Sequence, residues 1–306
     1  RRHGSRLFGL TKLAKIHTSI SKAMWKLWRP EIKGGIHVCG CGHSGTSILI
    51  RLIGAHSQIY ALPGETGIAK KEKYSTYRTN VKHFEQEAFR HNASYWVEKT
   101  PKHVRNLRFI LNCTPTTKII LIVRNPKDTI ASLKRRYGSL SKSIRRWKSD
   151  NTKVLYWSSH PQCIAIQYEK LITDTGPTMT QVMEFLGKTF EPEQLNFHSR
   201  QVIWYQASEN PPLDTAGASF GEQGSLTRTD IQTKSKPPTP EAIDESQYGS
   251  GLHHNTYRNH QINQPLFNNI GNHHKYLTDT EMLRISQACG ALALALGYAG
   301  ESTSSF

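Results

Sequence analysis

From residue 34 onward the chain repeats one pattern: a short apolar run, a turn-forming cluster, then a stretch of helical period. Residues 34–50, GGIHVCGCGHSGTSILI, carry an apolar run into a glycine-rich turn and out into an apolar, helix-like segment. Residues 118–137, KIILIVRNPKDTIASLKRRY, do the same. Ile119 to Val123 form an unbroken apolar run, as expected of a parallel strand covered on both faces. The dipeptide at Asn125 and Pro126 marks the change of structure, with Pro126 near the first helical turn, where its missing N–H costs nothing. The alternation continues through CIAIQYEKLITDTGPTMTQVMEFLG at 163–187 and predicts, over about 34–190, an α/β fold of three layers with a central parallel sheet flanked by helices. Residues 68–95 predict a further helix, 132–150 a basic amphipathic helix broken near Gly138, and Thr280 to Leu296 a last one. From about 206 to 252 the chain is rich in Pro, Ser, Thr and Gly and predicts a long flexible loop insertion. No internal repeat is evident.

The glycine-rich turn has the makings of a phosphate-binding loop. A strand ending in such a turn aims backbone N–H groups and the positive end of the next helix at one point, and an anion fits there. Gly40, Gly42 and Gly45 permit the tight backbone, while Ser44, Thr46 and Ser47 add hydroxyl donors. The Gly40 to Gly45 spacing mimics the G-x-x-x-x-G-K-[ST] nucleotide loop, so the fold reads as P-loop-like, but Thr46 stands where the lysine belongs. That substitution argues against an ATPase or GTPase. Arg124 falls at the end of the second strand, where open α/β sheets place their ligands, and Ser132 follows eight residues later, about two helical turns on. Taken alone, the first segment also fits an ordinary strand–turn–helix corner, and Arg124 a surface ion-pair partner.

Together the two segments resemble the sulfotransferases that use 3′-phosphoadenosine 5′-phosphosulfate (PAPS). In that family a [RK]-S-G-T-[TS] loop cradles the 5′-phosphosulfate, and an Arg with a Ser eight residues on holds the 3′-phosphate. Here these read His43-Ser44-Gly45-Thr46-Ser47, and Arg124 with Ser132. GAHSQIYALPGETG at 54–67, WVEKTPKHV at 96–104 and the 163–187 segment are similar to further family stretches, giving dense coverage over 34–190 and weaker coverage over 255–300. The likeness is to the Golgi and bacterial branch, which includes tyrosylprotein and carbohydrate enzymes. It implies in-line transfer of a sulfuryl group from PAPS to a hydroxyl, with Glu65 as general base and Lys99 stabilising the bridging oxygen. His43 would hold the phosphosulfate, and Tyr168 would contact the nucleotide. Arg258, Gln261 and His273 are further cofactor or acceptor candidates in a C-terminal closing loop, and Arg51, on the first helix, is within reach of the same anions. Residues 68–95 would border the acceptor cleft, and the 206–252 insertion would contribute acceptor specificity.

Composition sets outer limits. A chain of 306 residues suffices for one large α/β domain, taken here as 34–306, behind a basic segment or stem at 1–33. Hydrophobic residues make up 37% and the mean hydropathy is −0.55, as in a soluble protein with polar loops. The formal net charge of +17, from 40 Lys+Arg against 23 Asp+Glu, exceeds what a nucleotide requires and favours a polyanionic acceptor, a glycan or an acidic peptide, or an anionic membrane surface. No nucleic-acid reading motif accompanies it. Cys39 and Cys41 lack a second ligand pair, and as alternating strand residues would point the same way. The histidine pairs at 253–254 and 273–274 are adjacent loop residues without further ligands, so no metal is expected. The basic amphipathic segment at 1–30 reads as a membrane-surface helix or a stem below a missing anchor. Sequons at Asn92 and Asn112 permit a Golgi lumen location if the source is eukaryotic; otherwise the cytoplasm is expected.

His43 departs from the family's Arg or Lys. It keeps open an inactive polyanion-binding relative; the other alternative to a sulfotransferase, a P-loop-type kinase, is disfavoured by Thr46 and by the Arg124 and Ser132 pair. A free imidazole titrates near ~6.5, so the loop cation is only partly charged at neutrality until a bound polyanion raises its pKa. Affinity for 3′,5′-ADP should therefore fall from mildly acidic to alkaline pH in the parent and less so in His43→Arg; calorimetric titration showing two parallel profiles would rule this out.

Overall fold

The structure, a computed structural model, describes residues 34–205 and 258–298. The basic segment at 1–33, the whole 206–252 insertion and the pair at His253 and His254 lie outside the described residues. Five parallel strands form one sheet in the order β2-β3-β1-β4-β5, with β1 at Gly34–Gly40, β2 at Ile59–Ala61, β3 at Tyr95–Lys99, β4 at Lys118–Val123 and β5 at Cys163–Gln167. The helices are α1 (Thr46–Gly54), α2 (Tyr74–Arg90), α3 (Leu107–Cys113), α4 (Pro126–Tyr137), α5 (Leu140–Trp157), α6 (Tyr168–Thr173), α7 (Thr175–Phe185) and α8 (Asp279–Ala295). A further short helical stretch covers 258–262.

The unbroken apolar run of β4 is explained by its two covered faces. Ile119, Leu121 and Val123 join a cluster with Tyr77, Phe84 and Trp96, while Ile120 and Ile122 join Leu49, Leu52, Met179 and Val182 on the other side. Helices α2 and α3 thus pack on one face, and α1 and α7 on the other. The three-layer α/β expectation is met.

Local signals place the helix ends as the sequence predicts. The Asn125 side chain accepts from the Lys127 N–H and Pro126 opens α4; α4 ends at Gly138 in the left-handed region (φ 65°), and Ser139 caps α5. The basic stretch at 132–150 is accordingly two helices with a break at Gly138. Thr278 and Glu281 form a reciprocal capping box that starts α8 one residue before the expected Thr280.

One cysteine expectation is corrected. β1 ends at Gly40, so Cys41 lies in the turn: Cys39 packs among the Tyr77 and Trp96 cluster, whereas Cys41 packs with Ile130, Trp147 and Ile285. Position 40, the last of the strand, requires glycine: its φ is 151°, and a side chain there would meet the Ile122 carbonyl oxygen at 2.4 Å.

Arg51 is the second correction. Its guanidinium does not face the loop anion site but donates to the carbonyls of Phe197 (2.7 Å), Arg200 (2.5 Å) and Ile262 (3.0 Å). Burial, followed by the nearby Arg200 charge, lowers its pKa to about 10. Arg51 therefore ties α1 to the two segments that carry Tyr205 and Arg258. Those segments are joined to each other by Asn259, whose side chain bonds the backbone of Trp204 and Tyr205, and by Asn263, which does the same at Val202.

Candidate active site

Because every strand is parallel, all the carboxyl ends open on one edge of the sheet. The chain leaves β1 toward β3 and β2 on one side, then crosses to β4 and β5 on the other, so the crevice between the ends of β1 and β4 is the topological switch point where such sheets bind ligands. Gly40 pairs with Ile122 in that register and Val38 with Lys99, which brings the glycine-rich turn, Arg124 and Lys99 to the same edge.

The turn is built for close approach. His43 and Gly45 are left-handed (φ 70° and 94°), and a side chain on Gly45 would strike the Tyr168 ring at 2.4 Å. Ser44 Oγ is buried and has no hydrogen-bond partner among the described residues; the same holds for Arg124 Nε. Buried donors are almost always satisfied, so two orphans at one crevice fit an anionic ligand that supplies the acceptors. Gly45 precedes the first residue of α1, whose N-terminus carries no side-chain cap, and Thr46 is buried there with Ser47 half-buried.

Arg124 is held from several sides. Its guanidinium lies 4.3 Å over the Tyr168 ring, donates to the Asn269 carbonyl at 2.5 Å and the His43 carbonyl at 3.5 Å, and sits 3.7 Å from Asp128. Asp128 in turn accepts from the Gly271 N–H (2.9 Å), the His273 N–H (3.0 Å) and His273 Nδ1 (2.7 Å). His273, expected as a cofactor ligand, therefore stands behind Arg124, where it fixes the carboxylate that orients the guanidinium. Ser132, expected beside Arg124 at the second phosphate, bonds His43 Nδ1 at 2.8 Å. The loop imidazole thus meets α4, and the crevice brings His43, Ser132 and Arg124 together.

A second group lies at the end of β3. Lys99 is buried, with 1% of its side chain exposed. Its Nζ donates to Glu65 Oε1 at 3.2 Å and to the Tyr205 hydroxyl at 3.1 Å. Arg258 donates to the same two oxygens at 2.6 and 2.8 Å, with its guanidinium 3.7 Å from the Tyr205 ring centre. Burial alone would raise the Glu65 pKa; the charges and hydrogen bonds of Lys99 and Arg258 outweigh it and hold the carboxyl below its ordinary value. Both cations bond Oε1, leaving Oε2 without a bond among the described residues.

Sequence reasoning missed Asp128, Tyr205 and a buried cluster of His37, Glu98 and His103. Glu98 and His103 stand within the E-K-T-P-x-H run around Lys99, a signal that was available. The cluster is the one group of three among the described residues close enough to hold a metal. Its hydrogen bonds argue against that use. His103 Nε2 accepts the Ala69 N–H, so its proton is on Nδ1 and is given to Glu98 at 2.7 Å. A metal at Nδ1 would have to displace that proton.

Residues 65–192 match a family model described as the sulfotransferase family. Human Sulfotransferase 2A1 is 31% identical over a segment covering 30% of this chain and 39% of the relative; the Macaca fascicularis protein of the same name is 29% identical with the same coverage. The chain thus spans well under half the length of the curated relatives it matches. The fold is shared with mouse sulfotransferase SULT7A1 complexed with PAP, at a TM-score of 0.50 and 13% identity over 86% of this chain and 85% of that one. Residues 65–192 are therefore similar to the sulfotransferase family, and the fold is one that a sulfotransferase shares.

The ion-paired state of Glu65 has a pH signature. A carboxyl whose folded pKa is lowered contributes stability above its unfolded pKa and loses that contribution as pH falls through the folded value. The stability gap between the parent and Glu65→Gln should stay level near neutrality and close as pH drops below the ordinary carboxylate range. Urea unfolding at a series of pH values checks this; a gap that does not change with pH would refute the pairing.

Proposed function

We propose that the protein transfers a sulfuryl group from PAPS to a hydroxyl acceptor, with a carbohydrate as the preferred class and a protein tyrosine as the other candidate. The observation that carries this reading is the pair of cation groups at one sheet edge: Arg124 with His43 and Ser132 at the β1/β4 crevice, and Lys99 with Arg258 at the end of β3. A donor with phosphates at both ends of its ribose needs two anion sites, whereas a nucleoside triphosphate loop needs its lysine at the position of Thr46. PAPS, when bound, supplies the sulfuryl group and a phosphate leaving group.

Each residue then has a task that follows from its surroundings. The turn at Ser44–Ser47 and the N-terminus of α1 offer N–H and hydroxyl donors to one anionic end. Arg124, braced by Asp128 and stacked on Tyr168, offers its unsatisfied Nε to the other, with Ser132 and His43 beside it. Lys99, already dehydrated, neutralises charge as the S–O bond breaks, where a preformed cation acts most strongly. Glu65 Oε2 accepts the proton of the acceptor hydroxyl as the new bond forms. Its pairing with Lys99 weakens it as a base until the lysine turns to the donor. Arg258 and Tyr205 hold both partners in place meanwhile. Gln261 is half-buried on the same short helix as Arg258 and has no stronger role than that neighbourhood.

The basic balance of the chain supports an already anionic acceptor. Golgi residence follows from the same family likeness as an expectation, with both sequon asparagines, Asn92 and Asn112, exposed. A catalytically silent polyanion binder is the second reading, favoured by His43 in place of a permanent cation.

Incubation with ³⁵S-labelled PAPS and parallel sets of sulfated glycan oligosaccharides and acidic tyrosine peptides tests this. Label should enter the glycans, and Lys99→Ala should lower the rate by about 10²–10³, the loss typical of removing one charge-stabilising donor. Label in the peptides alone would move the acceptor to tyrosine, and none in either, with 3′,5′-ADP still bound, would favour the silent binder.

A further inference from the structure

Glu98 immediately precedes Lys99 in β3, and it is fully buried. All four of its acceptor positions are used. Oε1 accepts from Nδ1 of His37 and of His103, each at 2.7 Å; Oε2 accepts from the hydroxyls of Thr66 at 2.7 Å and Thr100 at 3.0 Å. Burial by itself would raise its pKa, but His103 and His37 reverse this and hold the carboxyl well below its ordinary range. Two more bonds run in parallel: the Gly67 N–H donates to Thr100 Oγ1 at 3.0 Å and the Ala69 N–H to His103 Nε2 at 3.2 Å. On the far side, His37 Nε2 meets the Tyr77 hydroxyl at 3.2 Å, which anchors the group to α2.

These bonds stitch the turn at 66–69 to the end of β3. Thr66 follows Glu65, and Glu98 precedes Lys99, so the two residues that meet across the site each have a neighbour on the same carboxylate. An apolar residue at 98 would leave two imidazole N–H groups and two hydroxyls competing for no acceptor. A carboxylate costs more to bury than an apolar side chain, and such groups are retained where they specify one arrangement.

We propose that Glu98 is a positioning residue for the transfer reaction, setting Glu65 against Lys99 through Thr66 and through the end of β3, where it directly precedes Lys99. It touches neither donor nor acceptor. The inference rests on the transfer reading for its catalytic consequence, while its structural core, the tie between residues 66–69 and β3, stands apart from that reading.

The informative variant is Thr66→Val, which removes one hydroxyl of nearly the same shape and leaves the histidines and Thr100 on Glu98; Thr66→Ser keeps the hydroxyl. Two readouts on the full chain decide the matter. Amide hydrogen exchange over 65–69 should quicken about tenfold in Thr66→Val, with β1 and β4 unchanged, and return to parent values in Thr66→Ser. Release of 3′,5′-ADP from PAPS, with 4-nitrophenol as a generic acceptor, should show kcat reduced about tenfold and KM for PAPS within about twofold of the parent, again restored by serine. Parent-like exchange in Thr66→Val overturns the proposal, as does a kcat loss that serine does not restore. Should the parent chain neither bind 3′,5′-ADP nor turn over PAPS, the transfer reading fails and the exchange result alone supports or overturns the tie.

Discussion

A lysine ammonium with 1% of its side chain exposed cannot stand alone, and the site is organised around that constraint. Dehydrating a cation costs several kcal/mol, typically about 3–5 kcal/mol when its partner is removed, so the fold must bring a carboxylate to Lys99. Glu65 supplies it from a turn 34 residues earlier, and Arg258 and Tyr205 complete the group from segments that have no sequence proximity to either. A bound anion would compete with the carboxylate that satisfies the lysine. A dehydrated ammonium is what a reaction generating charge on a leaving oxygen requires.

The sheet supplies the geometry for this at little further cost. Parallel strands of unequal order leave a crevice where the chain reverses direction, and β1 and β4 flank it. The glycine-rich turn leaves one side and Arg124 the other. The supports behind them are longer in range: Asp128 and His273 brace Arg124, and Arg51 gathers three carbonyls from segments 146 to 211 residues away. These supports are buried side chains and backbone carbonyls. The functional side chains are therefore set by packing and by hydrogen bonds within the protein itself, which is the condition for preorganisation.

Much of this was legible in the residue pattern because it is local. The continuous apolar run of β4, the Asn125–Pro126 helix start, the Gly138 break and the glycine-rich turn each follow from neighbours within a few residues. Arg124, Lys99 and Glu65 were found by motif, and the structure brings Lys99 and Glu65 into contact. What was not legible depends on contacts between distant segments. Arg51 sits on the first helix in a position that faces the anion loop as readily as it faces carbonyls near 200, and only the packing of 192–205 against α1 decides between them. Cys41 was paired with Cys39 on strand periodicity, which fails one residue past the strand end. His37 reads as an interruption of an apolar strand until Glu98 is placed beside it by the β1–β3 register. Tyr205 has no local signal at all.

The account stands on the two anion sites, and ligand-dependent stability measures them most directly. Thermal unfolding of the parent and of Arg124→Ala should be followed with 3′,5′-ADP and with ATP at equal concentration. Binding only to the folded state raises its stability in proportion to RT ln(1 + [L]/Kd), so a selective site yields a selective shift. The account predicts a marked stabilisation of the parent by 3′,5′-ADP, a smaller one by ATP, and loss of the difference in Arg124→Ala. Equal shifts with the two nucleotides, or none with 3′,5′-ADP in the parent, would contradict it.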